Sequence, residues 1–96
     1  MIKRIVKMSF QPEKAEEFKS VFKENWKLIA GFKGCKHVEL LQDRTHPNIF
    51  FTFSIWESEN NLNEYRQSEL FEKVWGKTKV LFNDKPQAWS LNDLNF

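Results

Sequence analysis

The residues from Asn48 to Phe71, NIFFTFSIWESENNLNEYRQSELF, constrain this chain more than any others. Ile49 to Trp56 is a run of β-formers, rich in Phe, Ile and Thr. It breaks at Glu57-Ser58, where Ser58 is placed to cap a helix. Leu62, Tyr65 and Arg66 follow at helical spacing. Ser68 offers a second cap, and Leu70, Phe71, Val74 and Trp75 continue an apolar stripe. A strand therefore runs directly into a helix that is expected to break near Ser68.

The strand is apolar on both faces. Phe50, Thr52, Ser54 and Trp56 point one way, and Ile49, Phe51, Phe53 and Ile55 the other. Helices can cover only one of these faces. Leaving Phe51, Phe53 and Ile55 in water would expose an apolar patch of a kind that monomers rarely carry. Their burial would contribute roughly 2 kcal/mol per side chain before association costs. The sheet of a second copy is the expected cover, so a homodimer is expected.

The elements on either side complete a pattern. Ile2 to Phe10 alternates, with Ile2, Arg4, Val6, Met8 and Phe10 on one face, which predicts a strand. Pro12 and Glu13 suit a first helical turn. Ala15, Phe18, Phe22, Trp26 and Ile29 then predict an amphipathic helix that ends at Gly31. Cys35 to Leu41 predicts a second strand, with His37, Glu39 and Leu41 on the face opposite Val38 and Leu40. Ser58 to Phe82 is predicted helical in two pieces. Asn83-Asp84-Lys85-Pro86 is turn chemistry, and Gln87 to Leu91 is a last strand. The order βαββαβ gives an α+β, ferredoxin-like protomer in one domain over residues 1–96, with right-handed crossovers placing both helical regions on one sheet face.

Composition narrows the function classes. The 15 basic and 13 acidic residues are interspersed, so no basic stripe points to nucleic acid. A single cysteine, Cys35, permits no intrachain disulfide and reads as a small buried residue at a strand start. No apolar run is long enough to span a membrane. Lys3, Arg4 and Lys7 are followed by no apolar stretch, so a signal peptide is not expected and the expected location is cytoplasmic. Three glycines form no phosphate loop, and one Cys with two distant His forms no metal cluster, so no bound nucleotide, flavin or metal is expected. Ten Phe and four Trp in 96 residues leave aromatic side chains over for a pocket or an interface.

The run Trp56-Glu57-Ser58, Leu62, Tyr65, Ser68 resembles the signature of the antibiotic biosynthesis monooxygenase family: a Trp ending the third strand, a Leu six residues on, an aromatic or His, then a Ser. The likeness extends from Ile2 to about Leu91, although Lys33 stands where many members have Pro before Gly-Cys. It implies a dimeric α+β barrel, with sheets back to back and a ligand cavity between each sheet and its own helices. Trp56, Thr52, Ser54, Trp75 and Trp26 would line that cavity as substrate-binding residues, with His37 and Tyr65 as candidate catalytic groups. Each also has an ordinary structural alternative in packing or at the surface. Arg66 reads as a solvated helix residue that could meet an anionic ligand, and His46 as a loop residue. Some cofactor-independent members carry an Asn four residues before the Trp, where this chain has Thr52. Many quinol-oxidising members have His where this chain has Tyr65. His37, if it points inward, is the best general base, because an imidazole titrates near working pH.

Two functions remain open on these residues. One is a cofactor-independent monooxygenase acting on a small aromatic or quinol-like substrate. The other is a non-catalytic module that binds a small hydrophobic ligand. The haem-degrading branch of the superfamily shares the strand–helix junction, but its helix His falls at Trp75 and its first-strand Asn near Val6. Neither side chain can perform those roles, so titration with haem should give no sharp Soret band saturating at one haem per chain.

Overall fold

Alternation in the first strand and the two-sided third strand build the centre of the sheet. In a computed structural model describing residues 1–96, β1 (Ile2–Ser9) pairs with β3 (Ile49–Trp56) on one side and with β4 (Gln87–Asn92) on the other. The strand β2 (Cys35–Gln42) pairs with β3, which gives the antiparallel order β2-β3-β1-β4. Three helices complete the chain: α1 (Ala15–Ala30), α2 (Glu59–Arg66) and α3 (Glu69–Lys79). A 3₁₀ turn at Pro12–Lys14 leads into α1, with Pro12 at its first position. This is the ferredoxin-like α+β arrangement. No helix is long and apolar enough to cross a membrane.

The helical breaks fall where side-chain caps compete with the backbone ladder. Ser58 Oγ accepts the Asn61 N–H at 3.1 Å and opens α2. Ser68 Oγ accepts the Phe71 N–H at 3.1 Å and donates to the Tyr65 carbonyl at 2.6 Å, so one hydroxyl closes α2 and opens α3. The helix α3 ends at Lys79 rather than continuing to Phe82, because Phe82 forms a β-bridge with Phe10 at the end of β1.

Register decides which side chains share a face. Met8 lies opposite Phe50, Val6 opposite Thr52 and Arg4 opposite Ser54, all on the face beneath the helices. There Met8, Phe10, Ala15, Phe18, Phe50 and Leu81 form the core, and the Phe10 and Phe18 rings stack at 4.2 Å. Asn25 takes a core position on α1, at 3% exposure, with its amide bonded to the Val21 carbonyl at 2.8 Å. Trp26, expected in the core stripe, is 42% exposed instead. The stripe on α1 is wider than the helix–sheet contact, and Trp26 falls at its edge, where its indole N–H donates to the Val38 carbonyl on β2 at 3.1 Å.

The other sheet face carries no helix. Phe53 sits between Ile5 and Glu39, and Ile55 between Lys3 and His37. Phe51, Phe53 and Ile55 are half-buried by their neighbours alone, and Leu41, Trp89 and Leu91 on the same face are exposed.

Gly34 ties the start of β2 to the strand–helix junction. Its φ is +85°, and its carbonyl accepts the Glu57 N–H at 2.8 Å. A Cβ at Gly34 would clash with Asn61 Cγ. Asn61 cannot swing aside freely, because its Oδ1 accepts the Ser58 hydroxyl at 2.7 Å. Gly34→Ala combines a left-handed backbone penalty with overpacking, and should destabilise the protein by about 2–4 kcal/mol. Urea unfolding will measure this. Adding Asn61→Gly should recover part of the loss by removing the clash.

Candidate functional site

The break at Ser68 leaves a space beneath α2 and α3. It is a cavity of about 360 Å³ between the helices and the sheet, within the range of small-molecule sites. Its floor comes from alternate residues of the central strands, including Val6 and Met8 of β1 and Thr52, Ser54 and Trp56 of β3. Its roof comes from Leu62 and Tyr65 of α2 and from Phe71 and Trp75 of α3.

Trp56 anchors the wall. It is 1% exposed, and a buried indole N–H needs an acceptor. Ser54, two residues earlier on the same strand face, supplies it at 3.0 Å. The Tyr65 ring stacks on Trp56 at 4.9 Å and 25°. Because Ser68 reorients the chain after Tyr65, Phe71 meets the Tyr65 ring edge-on at 5.3 Å, and Trp75 stacks on Phe71 at 5.8 Å. Phe32, from the turn before β2, closes the Trp56–Tyr65 end. The result is a continuous run of ring contacts from Phe32 through Trp56, Tyr65 and Phe71 to Trp75.

The polar groups in this lining are few and specific. The Tyr65 hydroxyl makes no hydrogen bond to the protein, and neither does that of Thr52. Burial pushes the Tyr65 phenol far above its ordinary range, so it stays protonated and serves as a donor rather than a base. The Thr78 hydroxyl is occupied by the Val74 carbonyl at 2.7 Å. Arg4 enters from β1, with Nη1 bonded to Ser90 Oγ on β4 at 2.9 Å, and Arg66 enters from the end of α2. Burial, and secondarily the charge of Arg66, lower the pKa of Arg4. Neither guanidinium forms a salt bridge.

Five of the residues picked from the sequence therefore meet on one cavity: Thr52, Ser54, Trp56, Tyr65 and Trp75. His37 and Trp26 do not. Both border a separate groove along the outer edge of β2. His37 does not point inward. It lies opposite Ile55, with its Nε2 on Glu39 Oε1 at 3.0 Å and its ring 6.0 Å from Phe53. Alternation fixes this placement, because Val38 is the β2 residue turned toward the helices. Cys35 is half-buried, and burial pushes its thiol up, away from the reactive thiolate. No group of three or more His, Cys, Asp or Glu side chains is placed to hold a metal. The residue that sequence reasoning missed is Arg4. Its signal was present, since it is the one charge on the otherwise apolar Ile2–Phe10 face.

Comparison with known proteins accords with this geometry. The chain matches the family model "Antibiotic biosynthesis monooxygenase" over residues 1–75, from β1 into α3. No curated protein matches it. Among solved structures, its fold is similar to that of a conserved protein from Methanosarcina mazei Go1, with 20% identity, a TM-score of 0.89, and coverage of 94% of this chain and 89% of that one. It is also similar to a structure described as an antibiotic biosynthesis monooxygenase, with 16% identity, a TM-score of 0.92, and coverage of 98% and 99%. Rv0793 from Mycobacterium tuberculosis is a third, with 15% identity, a TM-score of 0.90, and coverage of 99% and 96%. With the match running through the strand–helix junction and most of the cavity wall, the chain belongs to the antibiotic biosynthesis monooxygenase family.

Proposed function

We propose that this protein is a cofactor-independent monooxygenase of a small aromatic or quinol-like substrate bound in the cavity beneath α2 and α3. The observation that carries this is the Trp56–Tyr65 stack, with a protonated, unpartnered hydroxyl over an aromatic-lined space. A flat ring fits against such walls, and the Tyr65 and Thr52 hydroxyls are donors for its oxygens. Electrons come from the substrate itself. One atom of O₂ enters the substrate and the other leaves as water.

The cavity holds no group that titrates near neutrality. A substrate phenol would thus lose its proton to solvent, with Arg4 and Arg66 favouring the anion. Donors aimed at the developing oxyanion then act in a dry site, where they are worth more than in water. The same absence of a base favours a second reading, a module that binds such a ligand without turnover. Thr52 and Tyr65, where relatives carry Asn and His, point the same way. Oxygen uptake separates the two: on addition of a reduced naphthoquinol, the enzyme consumes O₂ above the spontaneous rate, whereas a carrier leaves that rate unchanged.

Tyr65→Phe should weaken binding of a phenolic ligand by about 1–2 kcal/mol, the value of a hydrogen bond in such a site. Its thermal midpoint should hardly move, since the hydroxyl satisfies no protein group. A change in melting alone would place Tyr65 in the core and not in a site.

We further propose that a second copy covers the open sheet face, making the protein a homodimer. Phe51, Phe53 and Ile55 line that face on β3, with Ile5 opposite Phe53 on β1 and Trp89 and Leu91 beyond it on β4. Light scattering at micromolar concentration should give twice the 11.6 kDa chain mass. Phe53→Asp should yield monomer or unfolded chain, because it would bury an unpaired charge. A wild-type monomer would remove the proposal.

A further inference from the structure

Two cations share the cavity wall, and nothing in the chain neutralises them. Among 19 lining residues, Arg4 and Arg66 are the only charged ones. No carboxylate lines the space, and neither arginine is ion-paired elsewhere. Arg66 alone would be unremarked, since a cation at the end of α2 suits the helix dipole. Arg4 has no such reason. It stands mid-strand on the face under the helices, opposite Ser54 on β3 and Ser90 on β4. Its bond to Ser90 fixes the guanidinium and leaves its remaining N–H groups free. Arg4 is partly buried, and the exposed Arg66 lies close enough to repel it; a like-charged pair of this kind is relieved by an anion between them.

We propose that the ligand of this cavity is an aromatic carboxylate, with its ring against the Trp56–Tyr65 wall and its carboxylate held by Arg4 and Arg66. This rests on the cavity being the ligand site. The guanidinium fork matches the two oxygens of a carboxylate, and the aromatic lining selects the ring that bears it. Arg4 is pre-oriented by β4, so the last strand contributes to selecting the ligand. The lowered pKa of Arg4 agrees with an arginine set in an apolar wall beside a like charge.

The test compares 1-hydroxy-2-naphthoate with 1-naphthol, which share ring and phenol and differ by the carboxylate. Binding is followed by quenching of tryptophan fluorescence and by calorimetry. The wild-type protein should bind the naphthoate at least about tenfold more tightly. The preference should weaken with added salt. In Arg4→Gln/Arg66→Gln the ratio of the two affinities should fall to about unity. In Arg4→Lys/Arg66→Lys it should stay above unity but below the wild-type value, because charge remains and the fork is lost. Arg66→Gln alone, at an exposed position, should lose at least about threefold of the preference, and it decides the matter if the double variant fails to fold. Equal binding of both probes by the wild-type protein overturns the carboxylate assignment and leaves the cavity as an aromatic site. A preference that survives both Gln variants overturns it too, since the carboxylate is then held elsewhere. If neither probe binds, the cavity is not a ligand site for such rings, and the assignment falls with it.

Discussion

Burial of the Trp56 indole is the constraint from which the rest of the cavity follows. An indole N–H taken out of water must find an acceptor, and the acceptor here is Ser54 on the same strand face. That bond fixes the ring at the end of β3, and Tyr65 then has a plane to stack on. The chain between them is short, so its path is also fixed. Gly34 pins Glu57, Ser58 caps α2 through Asn61, and Asn61 packs against Gly34 in turn. The Gly34 carbonyl, the Glu57 N–H, the Ser58 hydroxyl and Asn61 Oδ1 are thus all partnered within the junction.

The interruption at Ser68 turns this junction into a container. A continuous helix from Ser58 would carry Phe71 and Trp75 along one axis. The Ser68 hydroxyl instead satisfies the end of one helix and the start of the next, and the chain bends there at little hydrogen-bonding cost. The bend lets the roof follow the sheet while holding the helices off it. The dense core gathers around Phe10, Phe18 and Phe50. Packing and cavity adjoin along the sheet, and Met8 and Phe18 belong to both.

Electrostatics in that space are one-sided. Its titratable phenol is held protonated by burial, and its charged residues are both arginine. Chemistry that relies on a protein base has no candidate in this cavity, whereas stabilisation of a negative ligand has two. The imidazole that would have served as base lies on the opposite sheet face, bonded to Glu39.

Much of the architecture was legible in the sequence. The alternation in β1, the run of β-formers in β3, the caps at Ser58 and Ser68, and Pro12 before α1 are local signals. The cavity residues Thr52, Ser54 and Trp56 were legible for the same reason, since a strand period of two leaves no choice of companions. The errors fell where local pattern is silent about the third dimension. Alternation separates His37 from Val38, but only the packing of the helices says which of the two looks inward. The apolar stripe of α1 includes Trp26, but the width of the helix–sheet contact decides that Asn25 is buried and Trp26 is left at the edge. Arg4 was visible as a charge on an apolar face. Its meaning came from bringing β4 and the end of α2 to the same place, an arrangement between distant segments that no local pattern encodes.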